Sequence, residues 1–149
     1  MNVFATKPTA RQLGIGLLIL RLALGTVFLV HGGQKLFTMG MAASAGMMAN
    51  LGVPAPSLVG PLVAIVEPLA GLAIVLGLLT RVAGLAVAVE MVGAILLVHL
   101  PNGFFVPKGI EFPMMLLASA LTLMALGAGP WSIDNTIAAR RTEPREALA

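Results

Sequence analysis

Residues 59–99 read VGPLVAIVEPLAGLAIVLGLLTRVAGLAVAVEMVGAILLVH, two apolar runs that turn on Thr80-Arg81. A bilayer crossing takes about 20 predominantly apolar residues. Val59 to Leu79 and Val82 to His99 therefore predict an antiparallel membrane hairpin, with Glu67 and Glu90 as its interior charges. The pattern repeats outward in both directions. Gly14 to Leu36 is apolar apart from Arg21, His31, Gln34 and Lys35. Beyond the turn signals Pro101, Asn102, Gly103 and Pro107, a shorter run from Phe112 to Leu126 ends at Gly127, Gly129 and Pro130. The expected fold is an all-α integral membrane protein forming one domain over 1–149. It is a four-transmembrane-helix antiparallel bundle with spans over about 13–36, 59–79, 82–100 and 110–127, and a tail over 131–149.

Composition agrees. Of 149 residues, 58% are hydrophobic and 10% charged, and the mean hydropathy is +1.00; soluble domains are roughly one-quarter charged. The lipid bilayer is the expected partner. The formal charge of +3 is not gathered into a patch, so nucleic acid is not expected. Instead Lys7, Arg11, Arg81, Arg140, Arg141 and Arg145 fall on one face and Lys35 and Lys108 on the other. The positive-inside rule then places both termini in the cytoplasm, with the chain in a bacterial inner membrane. Lys7 and Arg11 ahead of an apolar run, with Ala43-Ser44-Ala45 after it, have the outline of a signal peptide, but Arg21 inside the run argues against cleavage. The absence of cysteine excludes disulfides, dithiol relays, iron–sulfur clusters and c-type haem. No metal-ligand spacing is evident, and electrons would have to come from a partner.

Between the first two spans, Met39 to Val53 predicts a short amphipathic helix on the outer surface, capped by Ser44 and stopped by Asn50-Leu51-Gly52-Val53-Pro54. Met41, Met47, Met48 and Leu51 then lie in the interface or over the bundle's mouth, as a packed connector first and a ligand lid second. Trp131 suits an interfacial anchor. Ser132 with Asp134 opens a short cytoplasmic helix that closes at Arg140 and Arg141, and a frayed tail follows from Thr142.

An ionisable side chain at mid-bilayer costs roughly 2.5–3.5 kcal/mol, so it faces the bundle interior and finds a partner. At about 100° per residue, Gly14, Arg21, Gly25, Phe28, Gly32 and Lys35 share one stripe, with His31 at its edge. Gly60, Ala64, Glu67, Gly71 and Ile74 share another, and Glu111, Met115, Ala118, Thr122 and Ala125 a third. Arg21 and Glu90 each lie roughly 10–12 Å from the cytoplasmic ends. An Arg21–Glu90 pair shared with Glu67 is the expected inner triad and the candidate catalytic group. His31, Lys35, His99 and Glu111 form an outer layer and are the candidate substrate-binding residues. The structural alternatives are a buried pair that only fixes helix register, lysines that snorkel, and glycines at 25, 32, 60 and 71 that permit close packing.

The order and spacing of Arg21-Leu22-Ala23-Leu24-Gly25, His31-Gly32-Gly33-Gln34-Lys35-Leu36, Leu51-Gly52-Val53-Pro54, Glu67 to Gly71, Leu76-Gly77-Leu78-Leu79-Thr80-Arg81, His99 to Phe105 and Gly127 to Asp134 resemble the DoxX family of small bacterial membrane proteins. The resemblance runs from about Arg21 to Asp134. It implies a four-helix membrane bundle linked to redox metabolism, named for a relationship to a quinone-reducing thiosulfate oxidoreductase subunit, with some members anchoring soluble oxidoreductases. The positions matching the family's polar pattern are Arg21, His31, Lys35, Glu67, Arg81, His99 and Asp134.

The leading expectation is a quinone- or lipophile-interacting membrane component of an oxidoreductase system, in which an apolar slot is bordered by acids and donors. The alternative is a non-catalytic scaffold that docks a soluble oxidoreductase through Arg81, Asp134 and the basic tail. A b-type haem between His31 and His99 ranks lower, because His99 lies about 180° around its helix from Glu90. A small transporter of the multidrug-exporter kind ranks lower too, because those carry their carboxylate in the first span, where this chain has Arg21. A homodimer or a hetero-complex is expected through small-residue seams such as Gly84-x-x-x-Ala88.

Overall fold

The computed structural model describes residues 7–142, and every regular element among them is helical. Thr9 starts α1 (Ala10–Gly33) through a reciprocal cap: its hydroxyl accepts from Gln12 N–H while the Gln12 side chain accepts from Thr9 N–H. The helix continues as a wider π turn over Gln34–Met39 and breaks at Gly40, whose φ of +82° suits glycine. There follow α2 (Met41–Asn50), α3 (Pro56–Leu76), α4 (Thr80–Ala94) with a second π segment at Ile95–His99, α5 (Glu111–Leu126) and α6 (Ile133–Thr142).

Three helical stretches are long and apolar enough to cross a membrane: Ala10–Met39, Pro56–Leu76 and Thr80–Asn102. The fourth apolar helix, α5, has 16 residues, about 24 Å at 1.5 Å per residue, against a hydrocarbon core of about 30 Å. Its neighbours define its place, for it packs along α4 while α1 packs along α3. The outer faces are largely apolar, with Ile19, Leu58, Leu69, Val82 and Val89 all more than half exposed. In water such a surface would be untenable; in lipid it is the expected exterior.

The α1–α3 seam is built from glycine. A Cβ on Gly25 would lie 2.7 Å from Val75 Cγ2 and 2.8 Å from Gly71 O, and Gly32 and Gly71 likewise face backbone or ring atoms of the partner helix. The buried residues of α1 and α3 follow the expected stripes. Those of α5 do not. Pro113, Ala120 and Leu123 face inward, while Met115, Ala118, Thr122 and Ala125 are exposed. The polar residues misled the reading of that helix: Thr122 Oγ1 donates to Ala118 O and Ser119 Oγ to Met115 O, both at 2.8 Å. A hydroxyl satisfied by its own helix can face lipid.

Two other expectations change. Gly84 and Ala88 do not form an outward seam, because both are buried and a Cβ on Gly84 would meet Ala120 O at 3.0 Å; the small residues are spent on α5 of the same chain. Ser44 does not cap α2. It lies inside that helix, fully buried, where Gly60 lets α3 approach the α2 backbone, and Gly40 is the cap. The stop holds as expected, with Leu51 as C-cap and Gly52 at φ +73°. The tail from Glu143 lies outside the described residues.

Candidate functional site

Arg21 is the largest departure from the sequence reading. It is 2% exposed and makes no pair with Glu90. Its Nε donates to Ile74 O at 2.9 Å, Nη2 to Val75 O at 2.7 Å, and Nη1 to Ala128 O at 3.0 Å and Trp131 O at 2.8 Å. Ile74 and Val75 sit in the last turn of α3, where i→i+4 donors run out, and Ile74 O accepts from the C-cap Gly77 N–H at 3.1 Å as well as from the guanidinium. One guanidinium thus ties that turn to the segment after α5.

Asp134 completes this end. Its carboxylate accepts from Leu79 N–H at 2.7 Å and Thr80 N–H at 2.9 Å, supplying the cap that α4 lacks locally, and its own N–H donates to Gly77 O. Leu79 holds φ +49°, a left-handed conformation unfavourable for leucine, at the turn that Asp134 clamps. The helix that starts at Ile133 is capped by Ser132, whose hydroxyl accepts from Asn135 N–H. Arg21 is therefore part of a structural clasp.

The depth count explains the error. Equal distances from the apolar ends were expected to bring Arg21 and Glu90 level, but α1 overruns the α3–α4 turn: Gly14 packs on Pro130, and Leu17 packs under Gly129. Arg21 consequently lies at the turn, whereas Glu90 is ten residues into α4, about 15 Å farther along.

At the other end Glu67 and Glu90 of the expected inner layer meet His31, Lys35 and His99 of the expected outer one. A cavity of about 390 Å³ is lined by Val27, Phe28, His31 and Lys35 of the first span, Val59, Val63 and Glu67 of α3, Glu90, Met91 and His99 of the third, and Phe112, Pro113 and Leu116 of α5. Met47, Met48, Leu51 and Val53 of α2 and its exit turn line it as well. The connector packs on α3 and contributes to the cavity wall. Lys35 Nζ donates to Glu67 Oε1 at 2.5 Å, with Glu67 only 4% exposed. Lysine side chains lean toward the helix N-terminus, which lets Lys35 reach down to Glu67. The Glu90 carboxyl lies beside Glu67 and within the field of Lys35. Among the described residues, Glu67 Oε2 and Glu90 Oε2 are buried and have no donor.

His99 lines the same cavity as Glu90, and the π segment Ile95–His99, which turns less per residue than an α-helix, reduces the expected 180° opposition. Its Nδ1 bonds to Lys108 O at 2.7 Å. A carbonyl only accepts, so Nδ1 carries the hydrogen and, in the neutral ring, Nε2 is left as an acceptor. Glu111, expected beside these residues, is not on the cavity wall. Its Oε1 accepts from Val106 N–H at 2.8 Å and holds the loop between α4 and α5. The cavity site is thus His31, Lys35, Glu67, Glu90 and His99, without Arg21 and Glu111. Walls such as Phe28 and Met91 carry no chemical signal in the sequence, and only Phe28 could have been found, from its place on the glycine stripe. Among the described residues, no group of three or more His, Cys, Asp or Glu is placed to hold a metal ion.

The DoxX family profile matches residues 16–100, which contain all five cavity residues and Arg21. The chain belongs to the DoxX family. It is 34% identical over 134 residues to "Uncharacterized membrane protein Rv3486" of Mycobacterium tuberculosis, covering 83% of this chain and 82% of that one. It is 32% identical over 120 residues to "Putative oxidoreductase CatD" of Bacillus subtilis, covering 80% of this chain and 85% of that one. No solved structure matches. As a DoxX protein it is a helical membrane protein. Its clasp falls partly outside the matched segment, since Ala128, Trp131 and Asp134 lie beyond residue 100.

Proposed function

We propose that this DoxX protein is a membrane component of an oxidoreductase system, and that it holds a quinone-type lipophile in the cavity under α2. The observation that carries this reading is the grouping of Lys35, Glu67, Glu90, His31 and His99 in one apolar, Met-lined cavity, which is the form of a small-molecule site: apolar walls with a few convergent polar groups. The name of the Bacillus subtilis relative points toward redox work. In this reading the apolar wall holds ring and tail, and the carboxyls and histidines exchange protons with the ring oxygens.

Purified protein in lipid nanodiscs, titrated with a decyl-tailed ubiquinone analogue and its quinol, is expected to bind with saturation. Glu67→Gln and His31→Ala are expected to weaken binding by tenfold or more. No saturable binding, or binding unchanged in both variants, would sink the proposal. The same sample distinguishes a haem between His31 and His99, which would show a Soret band. The scaffold alternative loses Asp134, which is engaged inside the fold. Arg81, Arg140 and Arg141 remain exposed for it, and retention of a soluble oxidoreductase by a chain that binds no quinone would favour it.

The arrangement in the membrane belongs to the same reading. All four of α1, α3, α4 and α5 cross the bacterial inner membrane with both termini cytoplasmic, and the cavity opens toward the outer side. The basic residues Lys7, Arg11, Arg81, Arg140 and Arg141 near one end support this. Because the chain has no cysteine, single-cysteine labelling is free of background. Asn102→Cys should react with a membrane-impermeant maleimide on intact spheroplasts, and Arg140→Cys only after lysis. Labelling of both from the outside would reject this topology.

A further inference from the structure

The polar groups on the cavity wall are unequal in kind. Lys35 is the cationic donor, and one of its three N–H bonds is committed to Glu67 Oε1. Against it stand the adjacent Glu67 and Glu90 carboxyls, whose Oε2 atoms are buried and take no N–H from the described residues, and the free nitrogen of His99, whose other nitrogen is tied to Lys108 O; the neutral His31 ring adds one donor and one acceptor. A single proton held between the two carboxyls would pair them in one O–H···O bond and leave the carboxylate oxygen a second lone pair that can accept from a ligand. A quinone ring offers acceptors only. Its carbonyl oxygen could meet Lys35, but its lone pairs would then face the carboxyl oxygens. A phenolic hydroxyl both accepts and donates, so one hydroxyl can take a hydrogen bond from Lys35 and give one to Glu67 or Glu90.

Resting on the reading of the cavity as a quinone-type site, we propose that it is selective for the reduced, hydroxyl-bearing form: an apolar-tailed quinol or a similar ring diol, with Glu67 and Glu90 as the acceptors that discriminate. The physical basis is the cost of buried polar groups left without partners. A site built to bond a hydroxyl rejects an analogue of the same shape that lacks it far more strongly than apolar contacts alone can. The wall area available to the tail is the same for both forms, so the redox state of the ring is read by these oxygens and not by the cavity's shape. The proposal concerns binding and needs no electron transfer.

The test compares three decyl-tailed ligands under anaerobic conditions in nanodiscs: the ubiquinone analogue, which has nearly the quinol's shape but no donor, the quinol itself, and the quinol's dimethyl ether, which keeps the aromatic ring but carries a methyl in place of each hydroxyl hydrogen. On the wild-type chain the quinol is expected to bind at least about tenfold more tightly than either of the others. In Glu67→Gln, where an amide replaces an acceptor oxygen with a donor, the quinol-to-quinone ratio is expected to fall below about threefold. Equal binding of quinol and dimethyl ether, or tighter binding of the quinone, overturns the selectivity while leaving the quinone-type site standing. Binding of none of the three overturns both. The wild-type comparison decides the question even where the variant does not fold.

Discussion

Arg21→Leu is expected to lose folded protein: about 4 kcal/mol or more of stability, read as a lower midpoint of unfolding in detergent and a changed emission from Trp131, the single tryptophan of the chain. The carbonyls of Val75, Ala128 and Trp131 would lose the guanidinium donor and Ile74 O would keep only Gly77 N–H, at bonds that are buried for Ile74 and Ala128 and part-buried for Val75 and Trp131. The turn they belong to would separate from the segment after α5. Arg21→Lys should recover only part of the loss, since an ammonium donates from one point and cannot reach carbonyls from two separate segments as a planar guanidinium does. In whatever fraction still folds, ligand affinity should be unchanged, because Arg21 is not on the cavity wall. A wild-type midpoint in Arg21→Leu would show that the clasp is dispensable. A folded variant with abolished ligand binding would return Arg21 to the site.

The second large effect is expected at Gly71. A Cβ there would meet the backbone of Leu29 and stand 2.7 Å from Gly25 O, and a backbone cannot yield as a flexible side chain can. Gly71→Leu should therefore force α1 and α3 apart at a cost above the usual 1–3 kcal/mol of overpacking. Since Lys35 and Glu67 face each other across the same pair of helices, ligand binding should fall with stability. Gly16 supplies the control. Nothing stands within 4 Å of a Cβ at that position, so Gly16→Leu should be neutral or slightly stabilising, by the helix propensity that glycine lacks. Equal behaviour of the two variants would mean that the seam does not hold the helices together.

Glu67 was legible as an inward carboxyl because charge in an apolar run has few places to go, and its stripe of Gly60, Ala64, Gly71 and Ile74 matches the buried face of α3. The partner of each charge was not legible. Arg21 and Glu90 looked level because depth was counted from the ends of apolar runs, and an overrun of α1 by three turns leaves no mark in composition. On α5 the rule that polar residues face inward failed at Thr122, whose hydroxyl bonds within its own helix. His99 and Glu90 looked opposed because a constant 100° step was assumed, and the step changes in the π segment between them.

What the sequence determined by itself is the class of the protein and its inward faces on α1 and α3: hydropathy over runs of about 20 residues, and the repetition of small and ionisable residues at helical spacing, follow from local chemistry alone. The tertiary structure decided which charges meet. It assigned Lys35 rather than Arg21 to Glu67, turned Arg21 and Asp134 into the clasp at the opposite end, and gathered Glu67 and Glu90 with His31, Lys35 and His99 in one cavity. Those pairings depend on how far each helix slides past its neighbour and where its turn widens. Both are set by packing between segments distant in sequence, of which no single segment carries a record.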